Sequence, residues 1–343
     1  MIQFQCDYNE GAHPRIMQRL METNMMQTKG YGMDPICEHA RELIKEACQA
    51  PNADVHFLVG GTQTNATVIS SVLRPYQGVL CAHSGHINVH ETGAIEHSGH
   101  KVMGLHAKNG LITAAQVKEA LRSHYEDDDE PEHMVQPGMV YISYSSEYGT
   151  LYTKAEMVAI KEVCQSYGVP LFIDGARLGY GLTSDMSDVT LPELAQIADM
   201  FYIGGTKQGA LFGEALVIMN DAYKKDFRYN LKQNGGMLAK GRLLGIQFET
   251  LFTDGLYFEI ARHANEEAMR IKKALQDAGY EFLMDSYTNQ QFPILPLDVY
   301  ERVSKDFLLS YWQKVDDTHV AARICTSWAT LPENVDKLLE ALV

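Results

Sequence analysis

The stretch VPLFIDGARLGYG, residues 169–181, decides the fold, because a short apolar run ends there in a charged residue. The run is typical of a buried β-strand bounded by turn residues, and it delivers Asp174 at its carboxyl end. Open α/β sheets bind their ligands at that edge. Arg177 follows three residues later, close enough to line the same pocket. The alternative for Asp174 is a structural ion pair at the end of a strand.

More short apolar runs of the same kind occur along the chain. They lie at residues 55–59, 78–82, 139–144, 200–205 and 215–219. Helical patterns such as AAQVKEALRSHY lie between most of them. Strands that alternate with helices predict an α/β fold, with a mainly parallel sheet covered by helices on both faces.

Length and patterning divide the 343 residues into two domains and an arm. Residues 1–12 are polar with little periodicity, which predicts an N-terminal arm, and residues 13–250 form the large domain. Residues 251–343 are predicted to form a small α+β domain. Its strands are expected in YEFLM, FPILPLD and VAARICTSW, before a terminal amphipathic helix. A helical span over 237–276, interrupted near Gly255, is expected to connect the two domains.

Charge and cysteine usage exclude several classes of protein. The 44 acidic and 29 basic residues leave a net charge of −15, which disfavours nucleic acid and anionic membrane surfaces as partners. No apolar run reaches the roughly 18 residues of a membrane span, and the first residues do not resemble a secretory signal. Six scattered cysteines without a CxxC pair argue against a disulfide scaffold or zinc ribbon. We therefore expect a cytoplasmic protein.

Lys207 is the first candidate for chemistry. It lies in MFYIGGTKQGALFGEALVI, residues 200–218, just past a predicted strand and among four glycines. Glycine lets a ligand approach the backbone closely, and a lysine held there can form a Schiff base with an aldehyde cofactor. The alternative is a lysine in a surface loop.

Two segments upstream add to this site. In FLVGGTQTNATVIS, residues 57–70, a strand ends at Gly61 and Thr62 and a helix begins, which is a possible phosphate cup. The second segment, residues 81–100, holds five histidines. They could be surface residues, metal ligands or a ring stacked on an aromatic cofactor. We expect no metal site, because the order is not HExxH and only Cys81 accompanies the histidines.

The candidates together favour one cofactor. A phosphate cup, a stacking ring, a strand-end Asp and a Schiff-base lysine are the parts that a pyridoxal 5′-phosphate site requires. A nicotinamide cofactor would leave Lys207 unexplained and would require the glycine fingerprint.

On these motifs the chain resembles the low-specificity L-threonine aldolases, within the β-eliminating lyase group of fold type I pyridoxal-phosphate enzymes. IDGARLG is the most specific motif, and GGTQTN, HINVHETGAIE and GGTKQG support it in the expected order. GTKQGALFGEA is similar to the phenylserine-aldolase-like branch. The resemblance implies a mainly parallel seven-stranded sheet between helices in the large domain, and a small C-terminal α+β domain.

The resemblance also implies roles for the cofactor-binding residues. Lys207 is similar to the Schiff-base lysine, and Asp174 to the partner of the pyridine nitrogen. Gly61 and Thr62 match the phosphate cup. His86 matches the histidine that stacks on the cofactor ring.

Other residues are implied to bind substrate or the neighbouring subunit's cofactor. Arg177 resembles the residue near the cofactor O3′ and the substrate carboxylate, and Arg323 the arginine of the small domain that binds that carboxylate. Lys240, or Arg242 beside it, could reach the phosphate of a neighbouring subunit. Tyr31 is a further substrate-binding candidate.

Two segments depart from the family pattern. SSEYGT replaces the usual NTHNG, so Glu147 takes the approximate place of a histidine near the substrate β-hydroxyl. In the arm segment CDYNEG, Tyr8 or Asn9 is expected to replace a serine. These departures concern the substrate and the base that acts on it.

The activity that the resemblance implies is cleavage of an L-β-hydroxy-α-amino acid to glycine and an aldehyde. The substrate would be L-threonine, L-allo-threonine or a related amino acid. A β-eliminating lyase, an aminotransferase and a phenylserine-type aldolase are alternatives. The resemblance further implies a homodimer or homotetramer. A non-catalytic binding protein is disfavoured, because Lys207 and Asp174 are both present.

Overall fold

The computed structural model describes all residues from Met1 to Val343. Thirteen strands alternate with helices over most of the chain. The strands are β1 (Ile2–Gln3), β2 (Asp54–Leu58), β3 (Gln77–Ala82), β4 (Lys101–Leu105), β5 (Gln136–Ser143), β6 (Leu171–Asp174), β7 (Met200–Gly204), β8 (Glu214–Ile218), β9 (Gln290–Gln291), β10 (Ile294–Pro296), β11 (Phe307–Leu308), β12 (Ser310–Lys314) and β13 (His319–Cys325).

The α-helices are α1 (Pro14–Thr23), α2 (Pro35–Ala47), α3 (Gly61–Val72), α4 (His86–Val89), α5 (Ala94–His97), α6 (Ala114–Tyr125), α7 (Lys154–Tyr167), α8 (Leu178–Leu182), α9 (Leu191–Ile197), α10 (Phe227–Gln233), α11 (Arg242–Phe252), α12 (Leu256–Asp277), α13 (Leu297–Val303) and α14 (Pro332–Leu342). Local sequence explains several boundaries. Asp34 caps α2 with its carboxylate on the N–H of Cys37, and Pro35 opens the helix. Thr153 and Glu156 form a capping box at α7.

The large sheet has seven strands in the order β2-β8-β7-β6-β5-β3-β4. Only β8 runs antiparallel to its neighbours, so the predicted mainly parallel sheet of seven strands is confirmed. Alternate residues of its strands enter two separate cores of 42 and 18 buried residues, one on each face. This alternation explains why the sequence shows unbroken apolar runs rather than apolar and polar residues in turn.

The small sheet consists of β13 paired with β9, β10 and β12, all antiparallel. The expected strands FPILPLD and VAARICTSW correspond to β10 and β13. The expected strand YEFLM is wrong, because Phe282 forms only an isolated bridge with Pro293. No helix is both long and apolar enough to cross a membrane.

The arm and the connecting helices pack tightly. Ile2 and Gln3 of the arm pair with β11, and Phe4 is buried in the core of the small domain. The connecting span breaks where predicted, at Gly255, which has a positive φ of 71°. Helix α12 then passes from the large core, where Tyr257 packs, to the small core, where Ile271 packs. The division of the chain at residue 250 stays a prediction.

Candidate active site

The candidate site lies at the carboxyl edge of the large sheet. The loops after β2, β3, β5, β6 and β7 all open at this edge, because these strands run parallel. Two cavities occupy it. The inner cavity, of about 290 Å³, is lined by Gly61, Thr62, Asp174 and Thr206 among others, and the outer cavity, of about 500 Å³, by His90, Ser310, Tyr311, Trp312 and Arg323. Both are lined by Tyr8, His86, Glu147, Arg177 and Lys207.

Lys207 lies three residues beyond the end of β7, between the two cavities. Its backbone carbonyl accepts a hydrogen bond of 2.5 Å from the hydroxyl of Tyr180, which fixes the turn. Burial lowers the pKa of the Lys207 amine, and the nearby charge of Arg177 lowers it further. A lowered pKa increases the fraction of neutral amine, which is the nucleophilic form.

Asp174 ends β6 at the floor of the inner cavity. Its carboxylate accepts hydrogen bonds from the hydroxyls of Tyr141 at 2.5 Å and Tyr202 at 2.6 Å, and from the N–H of Ala176 at 2.9 Å. Burial alone would raise the pKa of Asp174, but the charge of His86 and the tyrosine hydrogen bonds hold it below its usual value. The site therefore keeps an anion at its deepest point.

A hydrogen-bonded chain joins His86 to Asp174. Nδ1 of His86 lies 2.7 Å from Oε1 of Glu91, which also accepts from the amide of Asn65 at 2.7 Å. The same amide lies 3.2 Å from Oδ2 of Asp174. The His86 ring is thereby fixed in orientation over the inner cavity.

The expected phosphate cup faces this cavity at the start of α3. No side chain caps the first turn of the helix, so its N–H groups are available to an anion. A Cβ at Gly61 would lie 3.2 Å from the hydroxyl of Tyr202, so this position favours glycine. Thr206 also lines the cavity, and its hydroxyl donates to the buried carboxyl of Glu214 at 2.9 Å. Burial raises the pKa of Glu214 to about 8.

Arg177 forms a buried ion pair with Asp7 of the arm. Its Nε and one terminal nitrogen donate to the two oxygens of Asp7, at 2.7 and 3.0 Å. Burial alone would raise the pKa of Asp7, but the charges of Arg177 and Lys207 outweigh it and lower the pKa to about 2. A structural ion pair was the alternative interpretation of Asp174, and the structure instead places such a pair at Arg177. Its other terminal nitrogen has no protein partner.

Arg323 projects from β13 into the outer cavity without a carboxylate partner. One terminal nitrogen donates to the backbone oxygen of Gln5 at 2.9 Å, and the guanidinium lies 5.2 Å from the centre of the Trp312 ring. The other terminal nitrogen lies 3.4 Å from Oε1 of Gln290, and the buried Nε has no hydrogen-bond partner. A guanidinium that lines a cavity and has no carboxylate partner in the protein can bind the carboxylate of a ligand.

Glu147 follows β5 and lines both cavities. One of its oxygens accepts from the N–H of His86 at 3.0 Å and from the hydroxyl of Ser143 at 2.7 Å. Burial raises the pKa of Glu147. Its predicted place near the substrate and its catalytic role stay predictions.

Three predicted site residues lie outside both cavities. Asn9 lines a different pocket, beside Glu10 and Thr330, whereas its neighbour Tyr8 lines both cavities. Tyr31 and Lys240 are exposed on the surface of the protomer. Their roles in the site stay predictions.

Sequence reasoning missed several site residues. Asp7 was one of two acidic residues in the arm segment CDYNEG and carried no motif. Tyr141 and Tyr202 were hidden in apolar runs, although a buried tyrosine hydroxyl normally requires a partner. His90 was one of five clustered histidines, and only the structure shows that it lines the outer cavity.

The beta-eliminating lyase family model matches residues 8–296, which is most of the chain. The chain belongs to the beta-eliminating lyase family. A solved structure of Leishmania major threonine aldolase superimposes on this family member with a TM-score of 0.97 at 44% identity. The match covers 100% of this chain and 98% of the other. Curated low-specificity L-threonine aldolases from a Pseudomonas species and from Pseudomonas aeruginosa are 29% and 27% identical. The matches cover 84% and 82% of this chain, and 83% and 80% of those proteins.

Like its family, this lyase uses pyridoxal 5′-phosphate, and the residues present fit that group. The inner cavity offers uncapped helix N–H groups at Gly61 and Thr62 for a phosphate. It also offers the anion of Asp174 for a pyridinium nitrogen and the amine of Lys207 for the aldehyde. The cofactor inferred from the sequence is therefore confirmed.

Proposed function

We propose that this enzyme cleaves an L-β-hydroxy-α-amino acid, such as L-threonine or L-allo-threonine, to glycine and an aldehyde. The observation that carries the proposal is that Arg323 lines the same cavity as Lys207 and has no carboxylate partner in the protein. The likeness to a threonine aldolase at 44% identity over the whole chain supports it.

The chain's own residues would bind and orient the amino acid. Arg323, and the free terminal nitrogen of Arg177, would hold the α-carboxylate. Lys207 would provide the amine that the substrate amine displaces, and its lowered pKa favours that exchange. When bound, pyridoxal phosphate supplies an electron sink for the Cα–Cβ bond. The anion of Asp174 would keep the proton on the pyridine nitrogen.

Aromatic residues of the outer cavity favour a second candidate substrate. Tyr8, Tyr311 and Trp312 line the space beyond Arg323, where the substituent on Cβ would lie. Such a wall can pack against an aryl group, as in a phenylserine-type amino acid. The reaction would be the same, with an aromatic aldehyde as product.

A substrate panel tests the proposal. The holoenzyme is incubated with L-threonine, L-allo-threonine, the phenylserines, L-serine and L-alanine, and the products are identified. Glycine with an equimolar aldehyde is the expected result. Ammonia with an oxo acid would indicate β-elimination. A new amino acid, formed when an oxo acid is added as acceptor, would indicate transamination. Either outcome would overturn the proposal.

We further propose a homodimer or homotetramer in the cytoplasm. The exposed positions of Tyr31 and Lys240 support a site shared between subunits, because neither residue lines the inner or the outer cavity of its own protomer. All six cysteines are free thiols, which supports a reducing compartment.

A further inference from the structure

Apart from Lys207, whose amine is assigned to the cofactor aldehyde, three side chains of the outer cavity could accept a proton from a substrate hydroxyl: His86, His90 and Glu147. The proposed cleavage requires one such acceptor, because the Cβ–OH proton must leave as the aldehyde forms. Their hydrogen-bond partners distinguish the three candidates.

His86 and Glu147 are already engaged in the protein. His86 is held by Glu91 at 2.7 Å, and its ring is the one expected to stack on the cofactor. Glu147 uses one oxygen to hold the N–H of His86 and the hydroxyl of Ser143. These contacts give both residues a structural task in fixing the loop after β3.

His90 differs in that its ring makes no hydrogen bond or ion pair with any protein group. It follows the single turn of α4, one turn after His86, and its N–H donates to the carbonyl of His86 at 2.9 Å. This spacing places the two rings on the same side, with their centres 5.5 Å apart. His90 lines only the outer cavity, with Arg323 and the aromatic wall.

On this geometry we propose that His90 is the base that takes the β-hydroxyl proton, and that Glu147 is a positioning residue. The inference rests on the proposed function. The hydroxyl proton passes to a ring nitrogen of His90, and the O–H electron pair becomes the second bond of the aldehyde carbonyl. The Cα–Cβ electron pair leaves with the glycine fragment, which later takes up a proton at Cα.

The charges that face His90 favour its neutral, proton-accepting form. Burial lowers the pKa of His90, and the charges of His86, Arg323, Lys207 and Arg177 lower it further. The titratable groups lining the outer cavity with it are Tyr8, His86, Glu147, Arg177, Lys207, Tyr311 and Arg323. Cations therefore outnumber the one buried carboxyl group, and a neutral ring with a free lone pair is expected at neutral pH.

Glu147 acts in this scheme through α4. Its carboxyl oxygen holds the first N–H of α4, and the same short helix carries His90 at its end. Loss of that contact would move both histidine rings together. The expected effect of Glu147→Gln is therefore weaker than loss of a base, because the amide oxygen of glutamine can still accept from the N–H of His86.

The test compares His90→Asn with wild type as holoenzymes in two reactions. Cleavage of the best substrate from the panel requires a base for the β-hydroxyl, whereas exchange of the glycine α-proton with deuterated solvent does not. In His90→Asn, kcat for cleavage should fall by roughly 10²–10⁴-fold. Glycine exchange should stay within about threefold of wild type, a range small against that expected loss. Glycine affinity measured by calorimetry should also be unchanged.

The pH profile supplies a second readout. Wild-type kcat/KM should fall on the acid side with a midpoint below the ordinary histidine value of about 6.5, and His90→Asn should lack that limb. His97→Asn is the matched control, because His97 is an exposed histidine of the same segment outside both cavities. It should behave as wild type in every assay.

Each contrary outcome has a distinct meaning. Equal losses of cleavage and exchange in His90→Asn, or an unchanged cleavage rate, would overturn the assignment of His90. Loss of the acid limb in Glu147→Gln with the limb kept in His90→Asn would identify Glu147 as the base. A wild-type enzyme that exchanges the glycine proton but cleaves no β-hydroxy amino acid would instead refute the proposed function, and this inference with it.

Discussion

At the scale of single residues, Arg323 gives a direct test of substrate binding. Lysine cannot reproduce the fork of a guanidinium, so Arg323→Lys should weaken amino acid binding by about 2–3 kcal/mol. Calorimetric titration of the holoenzyme with glycine would measure this, and amines without a carboxylate should bind as to wild type. Arg302→Lys is the control, because Arg302 is an exposed arginine of the small domain. If Arg323→Lys binds glycine normally and only melts earlier, Arg323 is structural.

Asp174 offers a second prediction at this scale. Asp174→Asn removes the anion that would keep the pyridine nitrogen protonated, so kcat should fall by roughly 10²–10⁴-fold while some cofactor is retained. The control is Asp199→Asn, because Asp199 is an equally buried carboxylate beside β7 at the opposite edge of the same sheet. Asp199→Asn should destabilise the fold yet keep kcat. An unchanged rate in Asp174→Asn would leave Asp174 with a structural role alone.

Residue chemistry also shows how far sequence could go. Lys207, Asp174, Gly61 and Thr62 could be proposed from sequence, because each lies at or just after the end of a strand whose apolar run is visible. Asp7 could not, since its contact with Arg177 depends on how the arm folds back onto a residue 170 positions along the chain. Pairing across such a distance leaves no local pattern.

At the scale of secondary structure, the N-terminal arm couples the two domains through Asp7. The carboxylate binds Arg177 of the large domain and also accepts from the amide of Asn289 of the small domain at 2.9 Å. Asp7→Asn would leave the buried guanidinium without an anion, and we expect a loss of about 3–5 kcal/mol in the free energy of unfolding. Chemical denaturation of the cofactor-free protein would measure it, with the exposed Asp129→Asn as control.

The pH dependence of that difference follows from the pKa of Asp7. Because the folded pKa is lowered to about 2 from 3.8, the stabilisation is fully present above about pH 4. It is lost as the pH falls toward 2, so wild type and Asp7→Asn should converge there. A difference that stays constant down to pH 2 would contradict the assigned ion pair.

The strands of the large sheet differ in how visible they are in sequence. The six predicted runs became β2, β3, β5, β6, β7 and β8, because both faces of these strands are buried. Strand β4 was missed. It pairs on one side only, its residues are mostly half-exposed, and Gly104 interrupts its apolar pattern. The other edge strand, β2, has four buried residues out of five and was predicted, so burial rather than edge position makes a strand visible in sequence.

At the scale of the whole molecule, Tyr31 and Lys240 lie on the surface where we propose that a second copy binds. Tyr31 and Lys240 are brought together, because the N–H of Tyr31 donates to the carbonyl of Ala239 at 3.2 Å. Arg242 is bound to the backbone of residues 24 and 26, so Lys240 is the available cation of this pair. Met25 and Met33 of the same region are 87% and 50% exposed, which is unusual for large apolar side chains unless a partner covers them.

A shared site makes a prediction that no single variant can test. Lys207→Ala lacks the amine, and Lys240→Ala lacks the cation that would reach the neighbouring phosphate, so each should be largely inactive alone. After the two are mixed and allowed to exchange subunits, half of the dimers are mixed. Each mixed dimer holds one site with both lysines, so about one quarter of wild-type activity should return.

Sedimentation at assay concentration should show no active monomer. Lys232→Ala mixed with Lys207→Ala is the control, because Lys232 lies near Tyr31 without an inferred role in the site. Because Lys232→Ala keeps both Lys207 and Lys240, that mixture should already be active before the subunits exchange. No recovery in the first mixture, with exchange shown by labelled subunits, would mean that each protomer builds its site alone.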